Sequence, residues 1–269
     1  MLSVIRYPVS HPVLRNLIKY FWVIESESII SVSHKLLPVN NIDFIFNLSS
    51  PIEYITDEKV RTTSARFHFN GIRDKYYIIN QAGNLRVFGA SFFPSGLFPV
   101  LRIPLNEFTG KTIELDDIIS NFTDEILEKI TAVQSNAEII KVIEMAIVDS
   151  VDRSLIPNKY VYELISVFNA NHYCISGFCE QYGVNQRKLE RIFNKYIGVS
   201  PKLFQRINRF NRIINQFQGK KNDNLALFAY DNDYFDQTHF IKDFKSFIGT
   251  TPTEFLSQNN SVRQIMELY

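Results

Sequence analysis

Two stretches near the C-terminus, GVNQRKLERIFNKYIGVSPKLF (183–204) and NDYFDQTHFIKDFKSFIGTTPTEF (232–255), align at one constant offset. Asn185 pairs with Asp236, Gln186 with Gln237, Leu189 with Phe240, Phe193 with Phe244, Gly198 with Gly249 and Pro201 with Pro252. A repeat of this kind is one supersecondary unit used twice. In each copy an Asn or Asp can accept hydrogen bonds from the free N–H groups of a helix start. Apolar residues then recur three and four apart (Leu189, Ile192, Phe193, Tyr196; Phe240, Phe244, Phe247), which predicts one buried stripe. Gly198 and Gly249 supply the left-handed residue that ends a helix. Ser200-Pro201 and Thr251-Pro252 start the next one, with the hydroxyl as cap and proline at the first position.

A shorter helix precedes each copy, in ISGFCEQYG (175–183) and LALFAYDND (225–233). Short helix, turn and capped helix of about three turns make a helix-turn-helix, whose second helix enters the DNA major groove. The second copy has one more residue between Ala229 (opposite Cys179) and its cap, and Asp233 stands where the first has Gly183. From Pro201 to about Gln218 the pattern is one helix, with Phe204, Ile207, Phe210, Ile214 and Phe217 inward. Eighteen residues span roughly 27 Å, comparable to the ~34 Å between successive major-groove faces. One monomer could therefore read two adjacent grooves.

The stretch 175–255 resembles the DNA-binding domain of the AraC/XylS family of bacterial transcription regulators. DYFDQTHFIKDFKSFIGTTPTEF carries the family's Phe-Lys pair and Gly-x-Thr-Pro ending, and LERIFNKYIGVSP with INRFNRIINQF matches the first unit. The resemblance implies two helix-turn-helix units (about 175–197 and 225–248) joined by a long helix. It also implies base reading from Arg187, Glu190, Arg191, Gln237, Thr238 and Lys242, and RNA polymerase as a partner of an activator.

Charge agrees once it is resolved along the chain. The whole has 29 basic and 28 acidic residues, but from Asn158 onward there are 14 and 10. Between Arg187 and Lys221 ten basic residues face only Glu190, the footprint of phosphate contacts. On the outward face of the first long helix stand Gln186, Arg187, Glu190, Arg191 and Asn194, and on the second Gln237, Thr238, Ile241, Lys242 and Lys245. Arg suits guanine, Gln and Asn suit adenine, and Glu can accept from cytosine, so the first helix is expected to carry more specificity. Lys188, Lys195, Arg209, His239 and Lys245 are the expected phosphate contacts.

At 269 residues the chain exceeds one usual domain, and the boundary falls near VDRSLIP (151–157), where Pro157 can open the next helix. Residues 1–152 then form a sensor and possible dimerisation domain, and 153–269 the DNA-binding one. Up to about residue 115 short alternating runs (YFWVIES, NIDFIFNLS, RFHFNGI, KYYIINQ, RVFGASFF) predict a small barrel or sandwich. Helices follow over about 121–151. Ile139, Ile140, Ile143, Ile147 and Val151 form a broad apolar face, either a homodimer interface as in AraC-like regulators or packed on the chain's own strands. The fold class is α+β.

FWVIES, LLPVNNIDFIFNLS and VFGASFFPSGLFPVL also resemble a sensor-domain family found ahead of such DNA-binding domains. Its members usually carry Asp-Gly after the proline, where this chain has Val39-Asn40. Aromatic richness suits a small-molecule effector pocket, and Trp22, His34, His68 and Arg86 are its candidate residues. No cluster of metal ligands, phosphate loop or nucleophile elbow is present in the sequence, so neither a catalytic residue, a metal nor a cofactor is expected. Cys174 and Cys179 read as reduced thiols, the second in a small buried position. With no signal peptide or spanning apolar run, the protein is expected in the cytoplasm, away from membranes. A ligand-independent architectural DNA binder and an enzyme with a DNA-tethering tail are the alternatives.

Overall fold

Alternation builds the N-terminal domain. In the strand Asp43–Asn47 the rings of Phe44 and Phe46 are fully buried while Asp43 and Ile45 are less covered, as a pleat of period two requires. The computed structural model describes residues 2–26, 28–56, 61–64, 66–170, 174–217 and 225–257, without the side chains of Leu2, Ser3, Val32, His34 and Ala226. Its strands are β1 (Leu2–Tyr7), β2 (Ile18–Ser26), β3 (Ile30–Leu36), β4 (Asp43–Asn47), β5 (Ile52–Ile55), β6 (Arg61–Ser64), β7 (Phe67–Asn70), β8 (Tyr77–Gly83), β9 (Arg86–Phe92) and β10 (Thr112–Glu114). They form two sheets, ordered β1-β2-β9-β4-β7-β10 and β3-β8-β5-β6. The pairing is antiparallel throughout, with Ile45 opposite Gly89 on β9 and His68 on β7. The described strands form two separate sheets and not one closed barrel.

Phenylalanines fill the core, with Phe44 4.9 Å from Phe92 and Phe46 5.0 Å from Phe67, both edge to face, a favoured aromatic geometry. The short α1 (Phe98–Leu101) precedes β10, and α2 (Phe122–Thr131) and α3 (Asn136–Ser150) follow it. Ser135 and Glu138 close a capping box at the start of α3. The apolar face of α3 lies within the monomer: Ile139, Ile140, Ile143 and Ile147 are all buried in the chain's own core. Glu144, buried beside them, accepts from the backbone N–H groups of Ser10 (2.7 Å) and His11 (2.8 Å) and so holds the N-terminal segment on α3. A dimer built through this helix would have to use its other side, where Met145 is exposed.

The chain crosses to the helical domain over residues 151–158. Asn158, not Pro157, starts α4 (Lys159–Ala170): its side chain accepts from the Val161 N–H at 3.0 Å. The two units are α5 (Ile175–Gln181) with α6 (Gln186–Tyr196), and α8 (Leu225–Asp231) with α9 (Gln237–Ile248). Between them runs α7 (Pro201–Phe217), and α10 (Pro252–Ser257) closes the described residues. Asn185 and Asp236 cap α6 and α9 through the N–H groups of Lys188 (2.8 Å) and His239 (2.6 Å). The turn residues Gly183 and Asp233 are both left-handed, at φ 60° and 62°. Among the described residues no helix is long and apolar enough to cross a membrane.

The N-terminal domain grips the helical one at three places. Thr109 donates its hydroxyl to the Gly198 carbonyl after α6, and Phe98 packs edge to face on Tyr196 at 5.0 Å. Asn40 donates to the Phe204 carbonyl and to Asn208 on α7, each at 2.7 Å. At the end of α9, the Tyr76 N–H and the Lys35 ammonium donate to the carbonyls of Phe247 and Ile248, both at 2.9 Å. Gly198 and Gly249 are left-handed at φ 98° and 81°, and a Cβ on either would meet the Leu105 carbonyl or the Tyr76 ring. Glycine there serves both the turn and the domain contact.

Candidate nucleic-acid interface

The first recognition helix is oriented by its buried stripe. Leu189, Ile192 and Phe193 are buried, Phe193 lying 4.8 Å from Phe168 and 5.3 Å from Phe204. The opposite face is therefore outward, and Gln186, Arg187, Arg191 and Asn194 are exposed. Glu190 is half-covered and accepts a bond from the Gln186 amide at 2.8 Å. Lys188 lies over the Tyr160 ring at 4.8 Å. Lys195 turns toward the N-terminal domain, over Phe98 at 4.7 Å and Tyr196 at 5.1 Å.

The second recognition helix repeats the arrangement. Phe240, Phe244 and Phe247 are fully buried, with Phe210, Phe217 and Phe255 against them, and Gln237, Thr238, His239, Lys242 and Lys245 are exposed. Ile241 is half-buried. One residue breaks the pattern: Asp243 is buried, its side chain 4% exposed. Its carboxylate accepts from Arg206 at 2.8 Å and 2.6 Å and from the Tyr234 hydroxyl at 3.0 Å, with Arg209 at 3.7 Å. Burial, then the neighbouring Asp243 charge, pushes the Tyr234 phenol up. Arg209 also lies over the Tyr234 ring at 4.1 Å and donates to the Asp233 carbonyl at 2.9 Å. A buried carboxylate is tolerable only when it is paired and hydrogen-bonded, and here the pairing fastens α7 to α9.

Between the two units lies a cleft of about 780 Å³. Its α7 wall carries Lys202, Arg206, Arg209 and Arg212, spaced three or four apart on one helix face. His239 and Lys242 of α9 complete it, and its two carboxylates, Asp233 and Asp243, are already engaged by Arg212 (3.5 Å) and Arg206. Such a surface suits a polyanion. Lys202, Arg206 and Arg212 are absent from the residues read from the sequence. They were visible there only as part of the run of ten basic residues, and placing them on a face required the inward stripe of α7. Cys174, exposed at the start of α5, borders the cleft; bonds from Ser176 and the Gly177 N–H hold its thiol low. Cys179 is partly open, less buried than its alignment with the fully buried Ala229 predicts, and burial pushes its thiol up.

Three of the four effector candidates have described side chains, and no one cavity is lined by all three. Trp22 is buried and donates its indole N–H to Asp43 at 2.9 Å, beside a cavity between the sheets. His68, opposite Ile45 of that cavity's wall, is wholly buried and 2.7 Å from the Tyr54 hydroxyl, and burial lowers its pKa to about 4 while raising that of Tyr54 to about 12. Arg86 is exposed and donates to Asn136 at 3.3 Å. The His34 side chain lies outside the described residues. Asp43, Asn41, Asn70 and Arg73 line the cavity and were missed, because nothing local in the sequence brings strands β4 and β7 to one space.

Residues 178–258 match the model of a helix-turn-helix domain family, and residues 8–114 that of a domain family of unknown function. No curated protein matches the chain. Among solved structures, ToxT from Vibrio cholerae is similar at 13% identity, with 86% of this chain and 98% of ToxT covered and a TM-score of 0.43. ToxT bound to (E)-4-(8-methylnaphthalen-1-yl)but-3-enoic acid gives 14%, the same coverage and 0.45. The AraC-like transcriptional activator CuxR gives 14%, 80% and 86% coverage, and 0.30.

Proposed function

We propose that this chain, which through residues 178–258 belongs to the AraC-type helix-turn-helix regulators, reads promoter DNA with α6 and α9 in two adjacent major grooves. The intervening sugar-phosphate strand lies in the cleft between them. Gln186, Arg187, Glu190, Arg191 and Asn194 read one groove, and Gln237, Thr238 and Lys242 the other. Phosphates are met by Lys188, His239 and Lys245 and, in the cleft, by Lys202, Arg206 and Arg212. Lys195 and Arg209, the other two phosphate contacts expected from the sequence, also touch Phe98 of the N-terminal domain and the Asp233 carbonyl.

The observation that carries this reading is the cleft itself. Four basic residues on one face of α7, the helix that joins the two units, line one cleft with His239 and Lys242 of α9, where a duplex held by α9 can present its backbone. α7, of 17 residues, is roughly 26 Å long, short of the ~34 Å between groove faces, so the fit also asks for some bending of the DNA.

The N-terminal domain is the part that receives a small-molecule effector. Its contacts at the ends of α6 and α9 and at the middle of α7 support this, because a shift of that domain would change the relation between the two reading heads. The protein acts on the chromosome, in the cytoplasm.

Fluorescence anisotropy with a duplex of about 30 base pairs, roughly three helical turns, tests the cleft. Each phosphate contact contributes ~0.9 to the slope of log K against log salt, so Lys202→Ala with Arg212→Ala should lower that slope by roughly 2. An unchanged slope would remove the strand from the cleft.

A further inference from the structure

The one-residue difference between the two helix-turn-helix units falls on a single side chain. In the first unit the turn after α5 passes through left-handed Gly183 to Val184, which is buried and donates its N–H to the Cys179 carbonyl at 3.0 Å. In the second the turn after α8 passes through left-handed Asp233 to Tyr234, which is also buried and donates its N–H to the Ala229 carbonyl at 3.0 Å. Val184 is followed at once by the cap Asn185, whereas Tyr234 is followed by Phe235 and only then by the cap Asp236. Phe235 is therefore the extra residue, and the first unit closes the same turn without one.

Its ring takes no part in the core. At 92% it is the most exposed large apolar side chain among the described residues. Both of its neighbours are nevertheless fixed. Tyr234 packs on Phe240 at 5.2 Å and donates its hydroxyl to Asp243 at 3.0 Å, and the Asp236 carboxylate accepts from the His239 N–H at 2.6 Å. The ring thus stands on an anchored backbone at the start of α9, next to the exposed Gln237 and Thr238. In a helix-turn-helix the N-terminal residues of the second helix meet the base edges. The apolar group that a base pair shows in the major groove is the thymine 5-methyl, for which phenylalanine is a suitable contact.

We propose that Phe235 is a further specificity residue, its ring packing against the methyl group of a thymine in the groove that α9 enters. This rests on the DNA reading above and extends it, because the residues assigned to α9 there are all polar. The contact takes the ring and the methyl out of water together. A ring carried on a fixed backbone also loses little freedom in making it.

Selection from a randomised duplex library with the full-length protein gives its preferred site. Thymines of that site are then replaced one at a time by deoxyuridine, which lacks only the methyl, and affinities are measured by fluorescence anisotropy. One replacement should weaken wild-type binding about threefold to fivefold, the worth of one buried methyl. The same replacement should leave Phe235→Ala unaffected, closing a cycle that isolates the ring-to-methyl contact. Selection with Phe235→Ala should lose the thymine preference at that position and keep the positions that Arg187→Ala erases. If no thymine replacement separates the wild type from Phe235→Ala, the ring does not read DNA and serves another contact, such as a protein partner; the preferred site itself then still supports the DNA reading. Absence of any preferred site for the wild type would overturn the DNA reading, and this proposal with it.

Discussion

His68 shows at a single residue how the N-terminal core constrains the protein. The tautomer that fits both partners carries its proton on Nδ1, toward the Arg66 carbonyl at 3.3 Å, and accepts the Tyr54 hydroxyl at Nε2. Burial, and secondarily the nearby Arg73 charge, lowers its pKa from 6.5 to about 4. Between those values the unfolded chain binds the proton and the folded one does not, so stability falls as pH falls from about 6.5 and levels off near 4. The loss at stake is about 3 kcal/mol. Urea unfolding at several pH values should show it, and His68→Gln should flatten the dependence; an equal dependence in the variant would place the titration elsewhere. Of the sequence-based residue assignments, the caps Asn185 and Asp236 were legible because a cap acts on its own next turn. His68 was legible as a histidine but not as a core one, since its partner Tyr54 belongs to another sheet.

At the scale of elements, the helices were readable from local spacing, down to the longer turn before α9 that places Asp233 in the left-handed region. Five strands, β2, β4, β7, β8 and β9, were readable from short apolar runs, whereas β1, β3, β5, β6 and β10 were not, nor was the strand order: β9 lies between β2 and β4, and such long-range pairing leaves no mark in a short window. The apolar face of α3 illustrates the same limit, because periodicity tells that a face is covered and not by what. Asp243 is the counterpart in the helical domain. A carboxylate at the edge of an amphipathic helix reads as solvated, and its partner Arg206 is 37 residues away. Asp243→Ala would leave Arg206 and Arg209 beside a vacated, buried position. Because the Arg206 side chain is 33% exposed, the expected loss is about 2–4 kcal/mol, at or below the usual range for breaking a buried pair. Chemical denaturation should read it directly, and a change below about 0.5 kcal/mol, the scale of an ordinary surface substitution, would mean that the network does not fasten α7 to α9.

For the whole molecule, the duplication decides the account: two copies of one unit, one helix apart, make sense as two reading heads. The N-terminal domain touches the end of each recognition helix and the helix between them, so it can set their relation without touching DNA. None of those contacts was foreseeable, since Asn40, Tyr76 and Thr109 carry no signal of their own in the sequence. The central claim is that α6 and α9 read DNA together, and genome-wide footprinting with the wild type beside Arg187→Ala/Arg191→Ala tests it most directly. Discrete protected sites covering two successive major-groove faces, about 10 base pairs apart, should appear with the wild type and vanish in the double variant while weak nonspecific binding persists. Sites that survive the double substitution, or protection confined to a single groove face, would contradict it.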